Sequence, residues 1–323
     1  MLLVGAGRRG LTALVPAVRA SKPMRLAAIV ETPARIAELQ TLSDLAVPLY
    51  DSIDSALASC VPRLAIVATP HDSHVPLTLR LLEAHIPTLL EKPPARSCQE
   101  FSYLMQASDD SQTPLNTILT LHYQSRFKDF IKALRSPALT DAKVFITADV
   151  PSWVGAGHWR RSRARAGGGV LLDLGYHYLE LIVTCLGRPD QVAVKLRAQA
   201  GADEVEDQAH ASLYFGTRRI AIEISLKCGV DLARRSELLI VRDREPIFGT
   251  AINSPGAPSE HSAGAAVPSA AIAQLRSLRD TGFLVGAGPW RRTLARQVEV
   301  LSLLDQMYAG AEYITEISEG VLA

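Results

Sequence analysis

Three polar side chains recur at regular spacing in an otherwise apolar stretch, GGGVLLDLGYHYLEL, which covers residues 167–181. Asp173 and His177 are four residues apart, and Glu180 follows three residues later, so a helix would place them on or near one face. A carboxylate and an imidazole that share a face can move a proton near neutral pH. The same spacing also fits a structural helix whose polar groups satisfy local hydrogen bonds, and both interpretations stay open at this point.

A glycine-rich turn near the start of the chain, LLVGAGRRG, places Gly5, Gly7 and Gly10 in GxGxxG spacing directly after a predicted strand. Glycines at this spacing allow a tight turn, let the backbone approach a pyrophosphate, and let the next helix direct its first amides at the phosphates. Similar turns also bind flavins or methyl donors, or are purely structural. The motif alone therefore predicts a dinucleotide site without excluding these alternatives.

The second predicted strand, RLAAIVE, ends in Glu31, which lies 21 residues after Gly10. A carboxylate at this place accepts hydrogen bonds from the adenosine ribose and repels a 2′-phosphate. Glu31 thus favours NAD over NADP, although Arg8, Arg9 and Arg35 keep NADP as an alternative. A surface glutamate at a strand end is the structural interpretation.

Two further loops follow predicted strands, VATPHDSH after the strand at Leu64 and LLEKPPA after the strand at Thr88. Ligands of open parallel sheets bind beyond the carboxyl ends of the strands, so both loops are expected to line the same crevice. Lys92, held between Glu91 and two prolines, has a constrained backbone that can direct its ammonium inward. A lone lysine is otherwise a solvated surface charge.

The elements that position these residues form two patterns. Up to about Leu121, short apolar runs alternate with amphipathic stretches, which predicts a doubly wound α/β domain over residues 1–121. We predict its strands at MLLVGA, LAAIVE, LAIVAT, TLLEK and NTILTL. Beyond residue 140, the runs AKVFITADV, QVAVKLRAQ, QAHASLYF and RIAIEISLK predict a mostly antiparallel sheet. Helices near Val170 and at WRRTLARQVEVLSLLDQMYAGA complete an α+β domain over residues 122–323, and residues 251–270 are expected to form a loop.

Composition limits the class of protein. The 323 residues are 48% hydrophobic with a net charge of +1, which suits two soluble domains with no bulk attraction to nucleic acid or to a membrane. We find no signal peptide and no apolar run of membrane-spanning length, so a cytoplasmic location is expected. The four cysteines, Cys60, Cys98, Cys185 and Cys228, are far apart, which indicates reduced thiols and no metal site. The first strand starts at Met1 itself, which indicates a trimmed N-terminus.

In this order and spacing, GAGRRG, VATPHDSH, EKPPA and GGGVLLDLGYHYLEL resemble the signature motifs of the Gfo/Idh/MocA family, which includes glucose-fructose oxidoreductase and inositol dehydrogenase. The motifs run from Gly5 to Glu180, and LLDQMYAGAEYITEI weakly resembles the closing helix of the family. The resemblance implies a Rossmann domain that binds NAD, or alternatively NADP, followed by an α+β domain. It also implies a homo-oligomer, a dimer or a tetramer, assembled through the open face of the second sheet.

The resemblance further implies that Lys92, Asp173 and His177 lie together beside the nicotinamide. In these roles His177 is the general base, Lys92 stabilises negative charge on the substrate oxygen, and Asp173 holds the substrate hydroxyl or the imidazole. Gly167–Gly169 would then let backbone and ligand come close. Glu180 departs from the aspartate that is usual in the family, and EAHIPTLL lacks the usual glycine-basic pair, but neither change removes a catalytic group.

Two basic patches, HYQSRF and HWRRSRARA, are candidates for the substrate site. They suit an acidic sugar or a nucleotide diphosphate, or alternatively a solvated loop or a subunit contact. The predicted substrate-binding residues are Lys92, His122, Tyr123, Arg126, Trp159, Arg160, Arg161, Asp173 and His177. The predicted cofactor-binding residues are Gly5, Gly7, Arg8, Arg9, Gly10, Glu31, Arg35, Thr69, Pro70, His74, Glu91 and Lys92.

Motifs and resemblance together predict an NAD-dependent oxidoreductase that acts on a hydroxyl or carbonyl carbon of a sugar, cyclitol or related polyol, acidic and nucleotide-linked sugars included. One alternative is a glycosidase of the same family that uses bound NAD for transient oxidation. A second alternative is a sensor that binds the dinucleotide without catalysis. The presence of Lys92, Asp173 and His177 together argues against the sensor.

Overall fold

The computed structural model describes eight segments of the chain, residues 1–42, 45–148, 157–198, 205–226, 236–242, 245–252, 262–285 and 290–314. The chain divides into two compact units. Unit 1 comprises Met1–Gln124 and Ala263–Val298, and unit 2 comprises Ser125–Ser262 and Glu299–Ala323.

Unit 1 is built on a parallel sheet. Its strands are β1 (Leu2–Val4), β2 (Ala28–Val30), β3 (Leu49–Tyr50), β4 (Ala65–Val67), β5 (Thr88–Glu91) and β6 (Leu115–Ile118), in the order β3-β2-β1-β4-β5-β6. β1, β2 and β4 read LLV, AIV and AIV and are buried throughout, as strands covered on both faces are. The strand order reverses between β1 and β4, so ligands are expected beyond the carboxyl ends of these two strands. The predicted doubly wound fold is confirmed.

Helices follow the strands of unit 1 in turn. They are α1 (Val15–Ala20), which continues a π-helical turn over Gly10–Leu14, then α2 (Pro33–Leu39), α3 (Ile53–Ser59), α4 (His71–Glu83) and α5 (Cys98–Asp110). Serine hydroxyls cap two of them, because Ser52 accepts the amide hydrogen of Ser55 at 3.2 Å and Ser97 that of Glu100 at 3.1 Å. Such caps satisfy amides that have no partner within the helix, so local sequence sets where α3 and α5 begin.

A C-terminal helical segment, Ala263–Val298, also belongs to unit 1, although the sequence analysis assigned it to the domain over 122–323. The segment holds most of α9 (Ser262–Asp280) and the start of α10 (Trp290–Ala309). The buried Gln274 side chain donates to the Thr117 carbonyl and accepts from the Leu119 amide, both at 2.9 Å. One amide side chain thus satisfies two backbone groups around the end of β6, a tertiary contact that helical periodicity does not reveal.

Unit 2 is built on a mostly antiparallel sheet, as predicted. Its strands are β7 (Asp141–Ala148), β8 (Gln191–Ala198), β9 (Glu206–Phe215), β10 (Arg218–Leu226), β11 (Ser236–Arg242), β12 (Glu245–Ile252) and β13 (Glu312–Tyr313), in the order β12-β11-β7-β10-β9-β8-β13. Among the described pairings, β7 with β10 and β8 with β13 are parallel and the rest are antiparallel. In β10, Ile220, Ile222 and Ile224 are fully buried while Glu223 between them is partly exposed, so one face of the sheet forms the core.

Unit 2 also contains helices, and a helical turn lies on that core face. The helices are α6 (Lys128–Leu134), α7 (Arg163–Ala166) and α8 (Tyr176–Leu186), the last preceded by a π-helical turn over Leu171–Gly175. A Cβ atom at Gly175 would lie 3.0 Å from the Ile224 side chain, so this turn packs directly on β10. The helical stretch Arg163–Leu186 is long and apolar enough to cross a membrane, but 72% of its apolar window is buried inside the structure, as in the core helix of a folded domain.

Several elements differ from the sequence predictions. β3, β11, β12 and β13 were not predicted, because two-residue strands and strands without clear alternation carry little periodic signal. Within residues 251–270, expected to form a loop, β12 continues to Ile252 and α9 starts at Ser262, while residues 253–261 lie outside the described part. The start of α9 is rich in alanine, the residue with the highest helix propensity, and this signal outweighs the shortage of large apolar side chains.

Candidate active site

The first glycine turn connects β1 to the helix that begins at Arg8. Gly5 has a φ of +94°, and a Cβ atom on it would lie 2.6 Å from the Ala68 carbonyl oxygen. A Cβ atom on Gly10 would lie 2.6 Å from the Gly5 carbonyl oxygen, whereas one on Gly7 would meet nothing within 4 Å. The outer glycines are thus required by packing within the protein, and the middle one borders open space.

Glu31 lies over this turn. Its carboxylate accepts the amide hydrogen of Ala6 at 2.7 Å and that of Thr32 at 2.9 Å. Arg35 approaches the same turn from α2, where its guanidinium donates to the Ala6 carbonyl at 3.3 Å and also pairs with Glu38. Glu31, predicted to bind ribose, and Arg35, which would favour NADP, therefore both contact the turn at the end of β1.

The EKP turn after β5 also lies at this edge of unit 1. Glu91 is buried and forms an ion pair of 2.6 Å with Arg9 at the start of the first helix. Lys92 is half-buried, and its amide donates to the Glu91 carboxylate at 3.3 Å. The ion pair joins the glycine turn to the EKP turn, while Arg8 next to it is exposed to solvent.

His74 links two of the predicted cofactor loops. Its ring is 1% exposed, with Nδ1 at 2.9 Å from the Pro93 carbonyl oxygen and Nε2 at 2.9 Å from the Thr69 carbonyl oxygen. Burial lowers the pKa of His74, and the two carbonyl contacts oppose that shift. Because both ring nitrogens contact the backbone, His74 holds the loop after β4 against the EKP turn.

These residues suit a bound dinucleotide. The open space at Gly7 is where a pyrophosphate approaches the backbone in this fold. Next to it, a Cβ atom at Gly5 would lie 2.7 Å from the Thr69 side chain, whose hydroxyl is buried and has no hydrogen-bond partner among the described residues. A buried hydroxyl without a partner is costly unless a ligand or water completes it. Gly7, Thr69, Pro70 and Glu31 are accordingly the residues that would hold the cofactor.

In unit 2, Asp173 lies in the π-helical turn that precedes α8. Single π turns are frequent at functional sites because they redirect side chains. Asp173 is 8% exposed, and its carboxylate accepts a hydrogen bond of 2.7 Å from Nε of Arg160. The Arg160 guanidinium also stacks on the Trp159 ring at 4.2 Å. The structure therefore brings together three of the predicted site residues.

His158 adds an uncharged group to this cluster. Its Nδ1 accepts the amide hydrogen of Arg160 at 3.3 Å, and its ring stacks on Trp159 at 5.7 Å. Burial lowers the pKa of His158, and the positive charges of Arg160 and Arg165 lower it further, against the opposing effect of Asp173. A neutral histidine is therefore favoured, in a place where positive charge is in excess.

The space beside the triple glycine is filled by the protein itself, not by a cleft for a ligand. A Cβ atom on Gly169 would lie 1.9 Å from the Glu206 carbonyl oxygen, and one on Gly168 would lie 2.2 Å from the Tyr308 hydroxyl. The expectation that these glycines let a ligand approach is thus corrected for Gly168 and Gly169. They let β9 and α10 approach the start of the helix.

The other predicted residues lie in different places. His177 is half-buried in the first turn of α8, whereas Glu180 is buried and accepts a hydrogen bond of 2.9 Å from the Thr184 hydroxyl. His122 and Tyr123 are half-buried in a 3₁₀ turn over Thr120–Tyr123, and Arg126 follows in another over Ser125–Phe127. Arg161 is half-buried beside Arg160. Lys92 belongs to unit 1 and His177 to unit 2, so their meeting stays a prediction.

The sequence did not indicate two residues that pack against the second glycine turn, Gly167–Gly169, namely Glu206 and Tyr308. Glu206 lies in the acidic stretch DEVEDQ, which looks like a solvated loop, and Tyr308 lies in a helix whose periodicity says nothing about its hydroxyl. Nothing in either segment signals a buried carboxylate. The available signal was the pair of glycines next to the start of a helix, since such glycines indicate that another group packs closely there.

Comparison with known proteins identifies relatives of both halves of the chain. Residues 1–117 match the model of an oxidoreductase family with an NAD-binding Rossmann fold, and residues 138–244 match the GFO/IDH/MocA C-terminal domain. The chain is similar to the scyllo-inositol 2-dehydrogenase (NADP(+)) IolW of Bacillus subtilis, with 25% identity over 154 residues, 47% of this chain and 43% of the relative. The chain thus matches about half the length of the curated relatives.

Solved structures resemble the whole fold. GenD2 from gentamicin A biosynthesis, in complex with NAD, superposes with a TM-score of 0.78 at 23% identity, over 96% of this chain and 93% of that one. The WlbA dehydrogenase from Bordetella pertussis, in complex with NADH and UDP-GlcNAcA, superposes with a TM-score of 0.71 at 17% identity, over 96% and 94%. At these identities the likeness establishes the architecture of the chain.

Proposed function

Because the chain belongs to the Gfo/Idh/MocA family of oxidoreductases, we propose that it is an NAD(P)-dependent dehydrogenase that oxidises a secondary hydroxyl of a sugar, cyclitol or sugar derivative, or reduces the corresponding carbonyl. The first glycine turn is the observation that carries this proposal. Its outer glycines are packed against backbone, its middle glycine borders open space, and Glu31 is anchored over it. This combination suits a pyrophosphate and a ribose.

The cofactor chemistry leaves a limited task for the protein. When NAD is bound, its nicotinamide ring supplies the hydride acceptor. The chain must bind the substrate, orient its hydroxyl and remove the hydroxyl proton. His177 takes this proton as general base and returns it in the reverse direction. Lys92 stabilises the negative charge that develops on the substrate oxygen.

In this proposal Asp173 orients the substrate and does not accept its proton. Its carboxylate is held by Arg160 at 2.7 Å, and a carboxylate paired with a guanidinium is a poor base because the ion pair favours its ionised form. A carboxylate can accept several hydrogen bonds at once, so we propose that Asp173 accepts one from a substrate hydroxyl in addition to the bond from Arg160. The pairing therefore assigns proton transfer to His177 and substrate orientation to Asp173.

An anionic substrate is favoured by the electrostatics of unit 2. Arg160 lies against both Trp159 and Asp173. Arg165 lies near enough to His158 for its charge to act there together with that of Arg160, so two positive charges face the single carboxylate of Asp173 in this cluster. A carboxylate or a phosphate of the substrate would be attracted there. WlbA, a relative in fold, has been crystallised with UDP-GlcNAcA, and IolW is named for an inositol. Acidic or nucleotide-linked sugars are therefore the first substrates to test, before neutral cyclitols.

The decisive experiment is a screen of nicotinamide absorbance with NAD and NADP against acidic sugars, nucleotide sugars and neutral polyols. We expect reduction of the cofactor with at least one of them. Hydrolysis of a glycoside without net reduction would instead identify the NAD-using glycosidase, and cofactor binding without turnover on any compound would identify the sensor. Each outcome thus separates one of the three functions.

On the substrate found, His177→Ala is expected to lower kcat by roughly 10²- to 10⁴-fold, the usual contribution of general acid-base catalysis. Affinity for NAD should stay unchanged in calorimetry. His85→Asn is the matched control, since His85 is an exposed histidine at φ 54°, a conformation that asparagine also adopts. Full activity of His177→Ala would remove the general base from the proposal.

Lys92 is tested together with His177. If both act in the same step, the Lys92→Ala/His177→Ala double variant should lose much less than the product of the two single losses, because residues that act as a unit are non-additive. Multiplicative losses would indicate separate roles. This measurement needs no assumption about the distance between the two side chains.

We further propose that the protein is a cytoplasmic homo-oligomer. The face of the unit 2 sheet opposite the core presents Lys195, His210 and Glu223, of which His210 lies 4.0 Å from Glu223 and is also affected by the charge of Lys195. Such a partly exposed, mixed face suits self-association. Cys60, Cys98 and Cys185 carry thiols, which suits a reducing compartment, and Cys228 lies outside the described residues. Light scattering at several concentrations tests the oligomer.

A further inference from the structure

The start of the helix that carries Asp173 is closed by a buried carboxylate. Glu206, at the beginning of β9, is 2% exposed. Its Oε2 accepts the amide hydrogen of Gly169 at 2.9 Å, and its Oε1 accepts that of Leu171 at 3.0 Å. The Tyr308 hydroxyl from α10 donates to Oε1 at 2.7 Å and accepts the amide hydrogen of Leu172 at 3.2 Å.

These bonds use the amides that a helix normally leaves without partners at its start. Three N–H groups, those of Gly169, Leu171 and Leu172, all donate to side chains of the same unit. Glu206 thus occupies the place where a helix start attracts an anion. A phosphate or carboxylate of a ligand is therefore not expected there. Arg160, which contacts Asp173, offers a basic group beside this helix start instead.

The same network controls the position of Asp173. The Asp173 amide donates to the Gly169 carbonyl at 2.9 Å, and the Gly169 amide in turn is held by Glu206. Gly169 is packed so closely on β9 that even a Cβ atom added to it would lie 1.9 Å from the Glu206 carbonyl oxygen. Any shift of Glu206 or Tyr308 would therefore displace the turn on which the Asp173 carboxylate meets Arg160.

We propose that Glu206 and Tyr308 are positioning residues for the reaction: they fix the π-helical turn so that Asp173 is presented to the substrate, and they touch neither substrate nor cofactor. This inference rests on the proposed function, since it takes Asp173 to orient the substrate. It extends the site by two residues that belong to β9 and α10. Glu206 lies outside the quoted motifs, and Tyr308 lies in the stretch LLDQMYAGAEYITEI, which was not predicted to take part in the site.

The ionisation of the pair suits this role. The Gly169 amide, the Leu171 amide and the Tyr308 hydroxyl all donate to the Glu206 side chain, so its carboxylate form, which only accepts hydrogen bonds, suits all three donors. Burial raises the pKa of Glu206, while the bonds from Tyr308, Leu171 and Gly169 lower it. Burial and the nearby Glu206 charge raise the pKa of Tyr308 well above its usual value, against the smaller opposing effect of Arg163. The hydroxyl therefore keeps the proton that it donates.

Two variants remove these contacts without changing side-chain shape, and each has a matched control. Tyr308→Phe removes the hydroxyl, and its control is Tyr313→Phe, an exposed tyrosine on β13 whose hydroxyl accepts from Arg163 at 3.4 Å. Glu206→Gln points an amide N–H₂ at one of the donors, and its control is Glu312→Gln, an exposed glutamate paired with Lys195 at 3.3 Å.

We expect Tyr308→Phe to lower kcat about tenfold and Glu206→Gln by about tenfold to a hundredfold, because a displacement of about 1 Å in a catalytic group can cost a factor of 100. The Kd for NAD should stay within twofold of the wild type, and both controls should match the wild type. Hydrogen exchange of the 169–173 amides should be faster in Tyr308→Phe than in Tyr313→Phe.

The outcomes separate this inference from the proposed function. If Tyr308→Phe lowers Tm yet keeps full kcat per folded molecule, the network is only structural and the positioning role is wrong. If hydrogen exchange of residues 169–173 is unchanged in Tyr308→Phe, the contact itself is wrong. If the wild-type protein is inactive with every substrate, the proposed function fails, while the exchange measurement still tests the network. Should Glu206→Gln not fold, Tyr308→Phe alone decides.

Discussion

Two glycine-rich turns precede helices in this protein, and they differ in what fills the space that the glycines leave. At the first, Gly5–Gly10, the protein packs tightly against the outer glycines and leaves the middle one open. At the second, within Gly167–Gly169, the Glu206 backbone occupies the space beside Gly169, and the Tyr308 side chain of the same unit occupies that beside Gly168. The Gly169 and Leu171 amides at the second helix start donate to Glu206, whereas a Cβ atom on Gly7 at the first would meet nothing within 4 Å.

The difference shows that glycines before a helix allow another group to approach closely, but do not by themselves indicate a ligand-binding site. A glycine removes a side chain so that another group can approach, and that group can be a ligand or the protein's own backbone. Which one it is depends on the element that lies opposite. At the second turn that element is β9, whose Glu206 carbonyl is too close to Gly169 for any Cβ atom.

The largest expected effect tests the second turn. Gly169→Ala should destabilise unit 2 by about 3 kcal/mol or more, because overpacking against backbone cannot relax as a flexible side chain would. Denaturant unfolding measures it. The control is Gly216→Ala, where φ is +59° and nothing lies within 4 Å, so only backbone strain of about 1–2 kcal/mol applies. A Gly169→Ala protein as stable as the wild type would contradict the close packing.

The next effect tests the ligand side of the first turn. Glu31→Ala should weaken NAD binding by about 1.5–3 kcal/mol, the usual range for hydrogen bonds to a charged group, and should narrow the preference for NAD over NADP. Calorimetry with both cofactors measures this. Glu83→Ala is the charge-matched control, since Glu83 is an exposed acid on α4 that contacts Arg80. Tighter binding of NADP by the unmodified protein would reverse the cofactor preference and implicate Arg35.

A smaller effect separates the two turns directly. Gly7→Ala should leave Tm unchanged, because a Cβ atom there meets nothing within 4 Å, yet it should weaken NAD binding about tenfold, ~1.4 kcal/mol, by keeping the pyrophosphate away from the backbone. Calorimetry and thermal unfolding on the same sample test both parts. Undiminished NAD affinity in Gly7→Ala would show that the open space is not used by the cofactor.

The smallest effect is a difference in pH response. Burial lowers the pKa of His74 in unit 1 from 6.5 and raises that of Glu206 in unit 2 from 4.5. As the pH falls below 6.5, His74 binds a proton more readily in the unfolded chain than in the folded one, so unit 1 loses stability. Toward 4.5, the folded state protonates Glu206 before the unfolded chain does, so unit 2 gains stability.

Hydrogen exchange at two pH values, resolved by segment, distinguishes the two units in this test. Protection of the strands β4 and β5 should fall on acidification after correction for intrinsic exchange, and protection of β9 should rise. His74→Gln should abolish the first change and leave the second. Parallel changes in both units would show that neither buried group controls the local stability.

Much of this fold was predictable from local patterns. The apolar runs predicted β1, β2 and β4–β10, and the glycine spacing with Glu31 predicted where a dinucleotide would bind. Arg160 was singled out from its basic run, yet its bond to Asp173 was not foreseen, since a run of arginines does not indicate which one turns toward a carboxylate. For the segment Ala263–Val298, the sequence predicted a helix in the latter part but placed the segment in the second domain, whereas the structure places it in unit 1. The contact of Gln274 with β6 joins residues far apart in the chain, so no local pattern indicates it.

The sequence by itself determined the order of the strands β1, β2 and β4–β10, the family, and the residue types available for proton transfer, because these depend on periodicity and on motifs that are contiguous in the chain. Only the tertiary structure decided that Glu206 and Tyr308 close the second glycine turn. Those two residues lie 37 and 136 positions from the amides of Gly169 and Leu172 that they bind. Burial of a carboxylate depends on groups brought together by folding, and no local pattern records it.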